Sequence, residues 1–105
     1  MNNMKKIPKK LRMLGYDWKV DISKDKTKDN GGTFSWANKL ITINDKYGEE
    51  EVILLHEIIE AIMVHNLVRY YSNEGNAEYS FHFNHTQFCK IVYDIYIVLK
   101  DNKLL

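Results

Sequence analysis

The sequence predicts an α+β fold in which a small, mainly antiparallel sheet packs on two helices. Two patterns point to it: residues 7–44 are rich in short alternating apolar and polar runs, and two later segments carry helical periodicity. A length of 105 residues suits a single domain spanning 1–105, enough for one modest core. Hydrophobic residues at 45% and charged residues at 28% are ordinary for a globular chain, which argues against a disordered one.

The elements follow in order. Tyr16, Trp18, Val20 and Ile22 alternate with Asp17, Lys19 and Asp21, the period of a half-buried strand. Lys9 to Leu14 can pair with it through a turn at Gly15, and Pro8 suits the start of an edge strand. Ser23 to Gly32 is polar and ends in Gly31-Gly32, so it reads as a loop. Thr33 to Trp36 and Lys39 to Ile43 form a hairpin around Ala37-Asn38, with Trp18 and Trp36 anchoring the sheet, and Asn44 to Gly48 is a second turn. Glu49 to about Arg69 reads as a long helix, with Glu49, Glu50 and Glu51 at its positive end. Residues 70–83 read as a short hairpin around Asn73 to Asn76. A closing helix spans about 85–100, capped by Asn84 with Gln87 answering it, and Phe88, Ile91, Val92, Ile95, Tyr96 and Leu99 form its apolar stripe.

Charge and cysteine count narrow the function classes. The formal net charge of +1 makes nucleic acid an improbable partner, and the basic group Lys5, Lys6, Lys9, Lys10 and Arg12 reads as a solvated edge. Cys89 is the only cysteine, which excludes an internal disulfide and a site built from several thiolates. No apolar run has the length of a signal peptide or a membrane span, so a cytoplasmic location without membrane contact is the expectation.

The segment with chemistry in it is Leu54-Leu55-His56-Glu57-Ile58-Ile59-Glu60-Ala61-Ile62. The helix is apolar on nearly all sides, which predicts a central, buried position. His56 and Glu60 lie roughly 40° apart on the helical wheel, and Ile53, Met63, Val64 and Leu67 share their stripe. A carboxylate in such surroundings is costly unless it is paired or bound to a metal. A divalent cation gripped by His56 and Glu60 resolves that cost. Glu57, turned about a further 60°, can then take a proton from water on the ion. A buried charged pair, or a helix face open to solvent, accounts for the same residues without a metal.

This segment resembles the active-site helix of short zincin-like proteins of phages and other mobile elements, distantly similar to the ImmA/IrrE and SprT-like metallopeptidases. Ile7 to Lys10 with Tyr16 to Val20 is similar to their opening strands, and Lys39 to Ile43 to the strand before the helix. His85 to Phe88 through Val98 to Asn102 resembles their closing helix. The resemblance implies a minimal zincin-like fold, peptidase activity, a Zn2+ cofactor, His56, Glu60 and His85 as ligands, and Glu57 as base. Position 60 departs from the usual His-Glu-x-x-His pattern, giving an HExxE motif, yet the set is still two histidines and one carboxylate. His82 is the rival third ligand. Residues 70–83 match poorly and read as an insertion.

Other candidates have plainer readings. His65 lies about 180° from His56 and reads as a partly buried structural histidine. Cys89 reads as core filler, and Tyr93 and Tyr96 as packing residues. The functional expectation is a zinc-dependent metallopeptidase acting on a peptide or protein substrate, which can pair as a strand with an edge at Lys39 to Ile43. The competing expectation is a non-catalytic, metal-stabilised protein-binding module. In a third reading no metal is present, and Glu60 pairs with a basic residue or stays protonated.

Overall fold

In the computed structural model, the first hairpin forms where alternation and turn chemistry agree. Strands β1 (Lys10–Met13) and β2 (Tyr16–Ser23) pair antiparallel, joined by Leu14 and Gly15 at φ 54° and 85°. Positive φ at both central residues matches the right-handed twist of the flanking strands. The structure describes residues 7–23, 31–44, 48–72 and 78–105. Lys5 and Lys6, and most of the expected loop at 23–32 and turns at 44–48 and 73–76, lie outside the described residues.

Strands β3 (Gly32–Ser35) and β4 (Leu40–Asn44) form the expected antiparallel hairpin, and β4 then pairs parallel to β2. The sheet order is β1-β2-β4-β3. Lys39 to Ile43 is therefore not an edge: β4 is interior, and the outer strands are β1 and β3. Gly32 is the first residue of β3 rather than a loop residue. The parallel pairing buries Val20, Ile41 and Ile43 on one face, which a lone hairpin could not do.

Helix α1 (Glu50–His65) packs against β3, β4 and α2 (His85–Asp101), and α2 also reaches β1. The core joins Leu11, Trp18 and Ile41 of the sheet to Leu54, Ile58 and Ile62 of α1 and Ile91 and Val98 of α2. The Trp18 and Trp36 rings meet edge to face at 5.3 Å, as befits their anchoring role.

Helix α1 ends sooner than its periodicity suggests. Asn66 caps it, Leu67 turns left-handed at φ 60°, and Leu67 N and Val68 N donate to Val64 O and Met63 O. This is a Schellman closure built on leucine instead of glycine, so no glycine announces it. Asn66 Nδ2 also donates to Ile62 O and to Asp94 Oδ2, tying the helix end to α2. The chain then reverses into β5 (Arg69–Ser72), which pairs antiparallel with β6 (Glu78–Phe81) in a separate two-stranded sheet.

The interior position expected for α1 holds on one face only. Leu54, Glu57, Ile58, Ala61 and Ile62 are buried, whereas Val52, Leu55 and His56 are exposed. The apolar stripe of α2 is likewise narrower than expected. Ile91, Asp94 and Val98 are buried, while Phe88, Val92 and Tyr96 are exposed, because the described elements that α2 meets, α1 and β1, leave these side chains uncovered. Its N-terminus carries the predicted capping box: Asn84 Oδ1 accepts from Gln87 N, and Gln87 Oε1 from Asn84 N. At its other end Asn102 exchanges two hydrogen bonds with the Arg12 backbone, occupying the free edge of β1 as a strand would.

Candidate functional site

The site sits where α1 crosses the β3 edge. A β-carbon on Gly32 would lie 2.8 Å from Ile53 Cγ2 and 3.3 Å from Glu57 Cγ, so glycine is what lets the helix approach this closely. That approach presses Glu57 against the sheet, leaving its side chain 7% exposed, while His56, one residue earlier, is 65% exposed. Glu60, one turn further, has an intermediate 17% exposure.

The three expected residues of α1 do converge. His56 Nε2 lies 2.9 Å from Glu60 Oε1 and 3.8 Å from Glu57 Oε2. Burial raises the Glu57 pKa above the ordinary carboxylate range; His56 lowers it, Glu60 raises it, and Arg69 lowers it by a smaller amount. A buried acid with a displaced pKa in a cleft marks a site where chemistry can be done.

The second oxygen of Glu60 has a partner that sequence reasoning did not name. Arg69 Nη1 donates to Glu60 Oε2 at 2.7 Å. The guanidinium carbon stands 3.9 Å from the Tyr79 ring centroid and 5.6 Å from that of Phe34. The helical periodicity places Arg69 at the tail of the helix, and the reversal at Leu67 is what brings it back over α1. Its one sequence signal was the possibility that Glu60 pairs with a basic residue. Gly32, Thr33, Phe34, His56, Glu57, Glu60, Arg69 and Tyr79 line a cleft of about 420 Å³. A second, more apolar hollow of about 320 Å³ shares His56, Glu60 and Tyr79 and adds Ile59, Met63 and Phe81.

The other expected residues lie elsewhere. His85 stands in the first turn of α2, with its ring nitrogens 3.8 and 3.9 Å from Cys89 Sγ and its ring beside Phe88. His82 Nε2 is 3.2 Å from Ser80 Oγ, and its ring meets Tyr70 edge-on. Among the described residues, no three His, Cys, Asp or Glu side chains are gathered as an ion-holding group. His56 and Glu60 are therefore paired with each other, and no third donor group is assembled with them. His65 is exposed and stacks on Trp36 at 5.9 Å, rather than being partly buried. Cys89 is exposed, not core filler, because it falls on the uncovered side of α2. Tyr93 and Tyr96 are exposed too, and Lys100 lies over the Tyr96 ring.

No helix among the described residues is long and apolar enough to cross a membrane. No family model, curated protein or solved structure matches this chain.

Proposed function

We propose that this chain is a zinc-dependent peptide hydrolase working in the α1 cleft, with Glu57 as general base and His56 and Glu60 as metal ligands. The resemblance names His85 as the third donor; the structure holds that ring beside Cys89 and Phe88 and not in the lining of the α1 cleft. The observation that carries the reading is Glu57: a buried carboxyl of raised pKa, facing an imidazole and a second carboxylate across an open cleft. A base works best when its pKa approaches the working pH, and burial moves Glu57 in that direction. A bound divalent ion would supply polarisation of the scissile carbonyl and a more acidic water.

The chain's own residues do the rest. Glu57 takes the proton from water and passes it to the leaving amine. The outer edge of β3 offers backbone groups to an extended peptide, whose side chains can rest on Phe34 and Tyr79. The test is metal analysis of protein purified without added metal, followed by cleavage assays on unfolded protein substrates. Glu57→Gln should keep its zinc and lose cleavage; loss of zinc in that variant, or a metal-free wild type, contradicts the reading.

A second reading is a non-catalytic protein-binding module. It is favoured by the Glu60 carboxylate, whose two oxygens already meet His56 and Arg69, and by the exposed rings of Tyr70, Tyr71, Phe81 and Phe83 around the β5-β6 ribbon. Thermal stability unchanged by chelator, with no cleavage by wild type or Glu57→Gln, supports it.

A further inference from the structure

We infer that the apolar hollow beside the cleft is a side-chain pocket for an extended segment of a partner protein. The segment pairs with the outer edge of β3 and seats a large uncharged side chain among Ile59, Met63, Tyr79 and Phe81. The inference rests on the reading of the α1 cleft as a peptide site and names the residue class that this site selects. It needs neither a bound ion nor cleavage.

The strand edge follows from register. β4 lies between β2 and β3, so its backbone groups alternate between two neighbours. Lys19 N donates to Lys39 O on the β2 side, and Asn44 N donates to Gly31 O on the β3 side. Leu40, Thr42 and Asn44 therefore serve β3, opposite Ser35, Thr33 and Gly31. The alternate residues of β3, Gly32 and Phe34, turn their N–H and C=O groups away from β4. Both residues line the cleft. They form a pairing row for one more strand, and every second side chain of that strand faces α1.

The hollow lies within reach of such a strand. It shares His56, Glu60 and Tyr79 with the cleft, so the two are continuous. Ile59 and Met63 supply one wall, a turn apart on α1. Tyr79 and Phe81 supply the other, on one face of β6 as alternate residues. The two rings are 48% and 41% exposed, an aromatic wall that a ligand would bury further. At about 320 Å³ the hollow has room for a leucine side chain or an aromatic ring. The β5-β6 ribbon thereby acquires a role, because it supplies the wall that sets specificity.

Charge selects as well as shape. Both oxygens of Glu60 are engaged, by His56 at 2.9 Å and by Arg69 at 2.7 Å. Among the described residues that line the hollow, no charged group is left without a counterpart. A lysine or glutamate seated there would give up water for apolar walls and paired groups, at a cost that leucine or phenylalanine does not incur. A slot between a strand edge and a ribbon suits one extended chain. In strand addition the main-chain bonds give affinity, and pockets for alternate side chains give specificity.

The experiment measures binding of short fluorescent peptides to the full chain in chelator, by anisotropy. The peptides share one extended threonine-rich sequence and carry leucine, phenylalanine, alanine, lysine or glutamate at the centre. Wild type should bind the leucine and phenylalanine peptides at least about 10-fold more tightly than the others. N-methylation of alternate peptide amides should abolish binding in one register and spare it in the other. Phe81→Ala should erase most of the apolar preference, and Met63→Lys should shift it toward glutamate. If all five peptides bind within about threefold of one another, the inference falls and the cleft remains a peptide site. A preference that survives unchanged in both variants places the pocket elsewhere and also overturns the inference. If no peptide binds, the inference and the peptide reading of the cleft fall together. A wild type that dimerises in sedimentation and becomes monomeric as Phe81→Ala has a second copy on this face, and the inference falls. Each variant's fold is checked by circular dichroism; should Met63→Lys fail to fold, Phe81→Ala, at an exposed ring, carries the comparison.

Discussion

Replacing Gly32 by alanine tests the packing that creates the site. At an ordinary strand position the change would stabilise the chain by about 0.4–1 kcal/mol, because alanine leaves the unfolded state fewer conformations. Here the added methyl would stand 2.8 Å from Ile53 Cγ2, 2.9 Å from the Thr42 carbonyl oxygen and 3.3 Å from Glu57 Cγ. Ile53 can rotate. The Thr42 carbonyl cannot move far, because its residue is paired with Thr33 in the β3-β4 ladder. Overpacking of this kind costs about 1–3 kcal/mol. The clash outweighs the entropic gain, for a net loss on the order of 1–2 kcal/mol. Urea unfolding of the metal-free protein reads this directly. With a slope of about 1–3 kcal/mol per molar for a small domain, the midpoint should fall by roughly 1 M. Glu57 should shift with it, and under the proposed hydrolase reading cleavage should fall as well. Gly15→Ala is the companion measurement. No atom lies within 4 Å of a β-carbon there, but φ is +85°, so its cost of about 1–2 kcal/mol arises in the backbone alone and leaves the cleft intact. An alanine at 32 that unfolds at the same or higher urea concentration refutes the close-approach argument.

Three further outcomes are expected. Burial raises the Glu57 pKa in the folded state above its unfolded value, so the stability linked to this group is complete below the ordinary carboxylate range and is lost as pH rises through the folded pKa. In chelator, Glu57→Gln should therefore melt above wild type at about pH 8, with the difference vanishing near about pH 4; a constant difference across that range contradicts the burial argument. Asn84→Ala removes the side-chain acceptor of the Gln87 amide, leaving the backbone half of the capping box, and should cost about 1 kcal/mol by urea unfolding, whereas Asn84→Asp should change little. Asn102→Ala deletes two bonds to the Arg12 backbone and should cost about 1–2 kcal/mol, with faster amide exchange at Arg12; protection unchanged at that amide would show that β1 does not depend on the clamp.

Local information sufficed where the physics is local. The strand at Tyr16 to Ile22, the Asn84-Gln87 cap and the one-turn spacing of His56 and Glu60 all depend on neighbours within a few residues, and each is present in the structure, although of the strand's alternating apolar residues Trp18 and Val20 are buried while Tyr16 and Ile22 are exposed. Two errors came from signals that usually accompany a feature but are not its cause. The periodicity runs past His65, where the helix closes on leucine rather than glycine, and the apolar stripe of α2 is wider than the surface its neighbours cover.

The primary sequence alone determined the fold class, the cap and the cluster of titratable groups on one helix, since these follow from residue type and period. Only the tertiary structure decided that β4 lies inside the sheet, that Gly32 admits α1 to within contact of the β3 edge, and that Arg69 returns to meet Glu60. Those are pairings between segments distant along the chain, set by which surfaces can be buried together, and no local pattern encodes the partner.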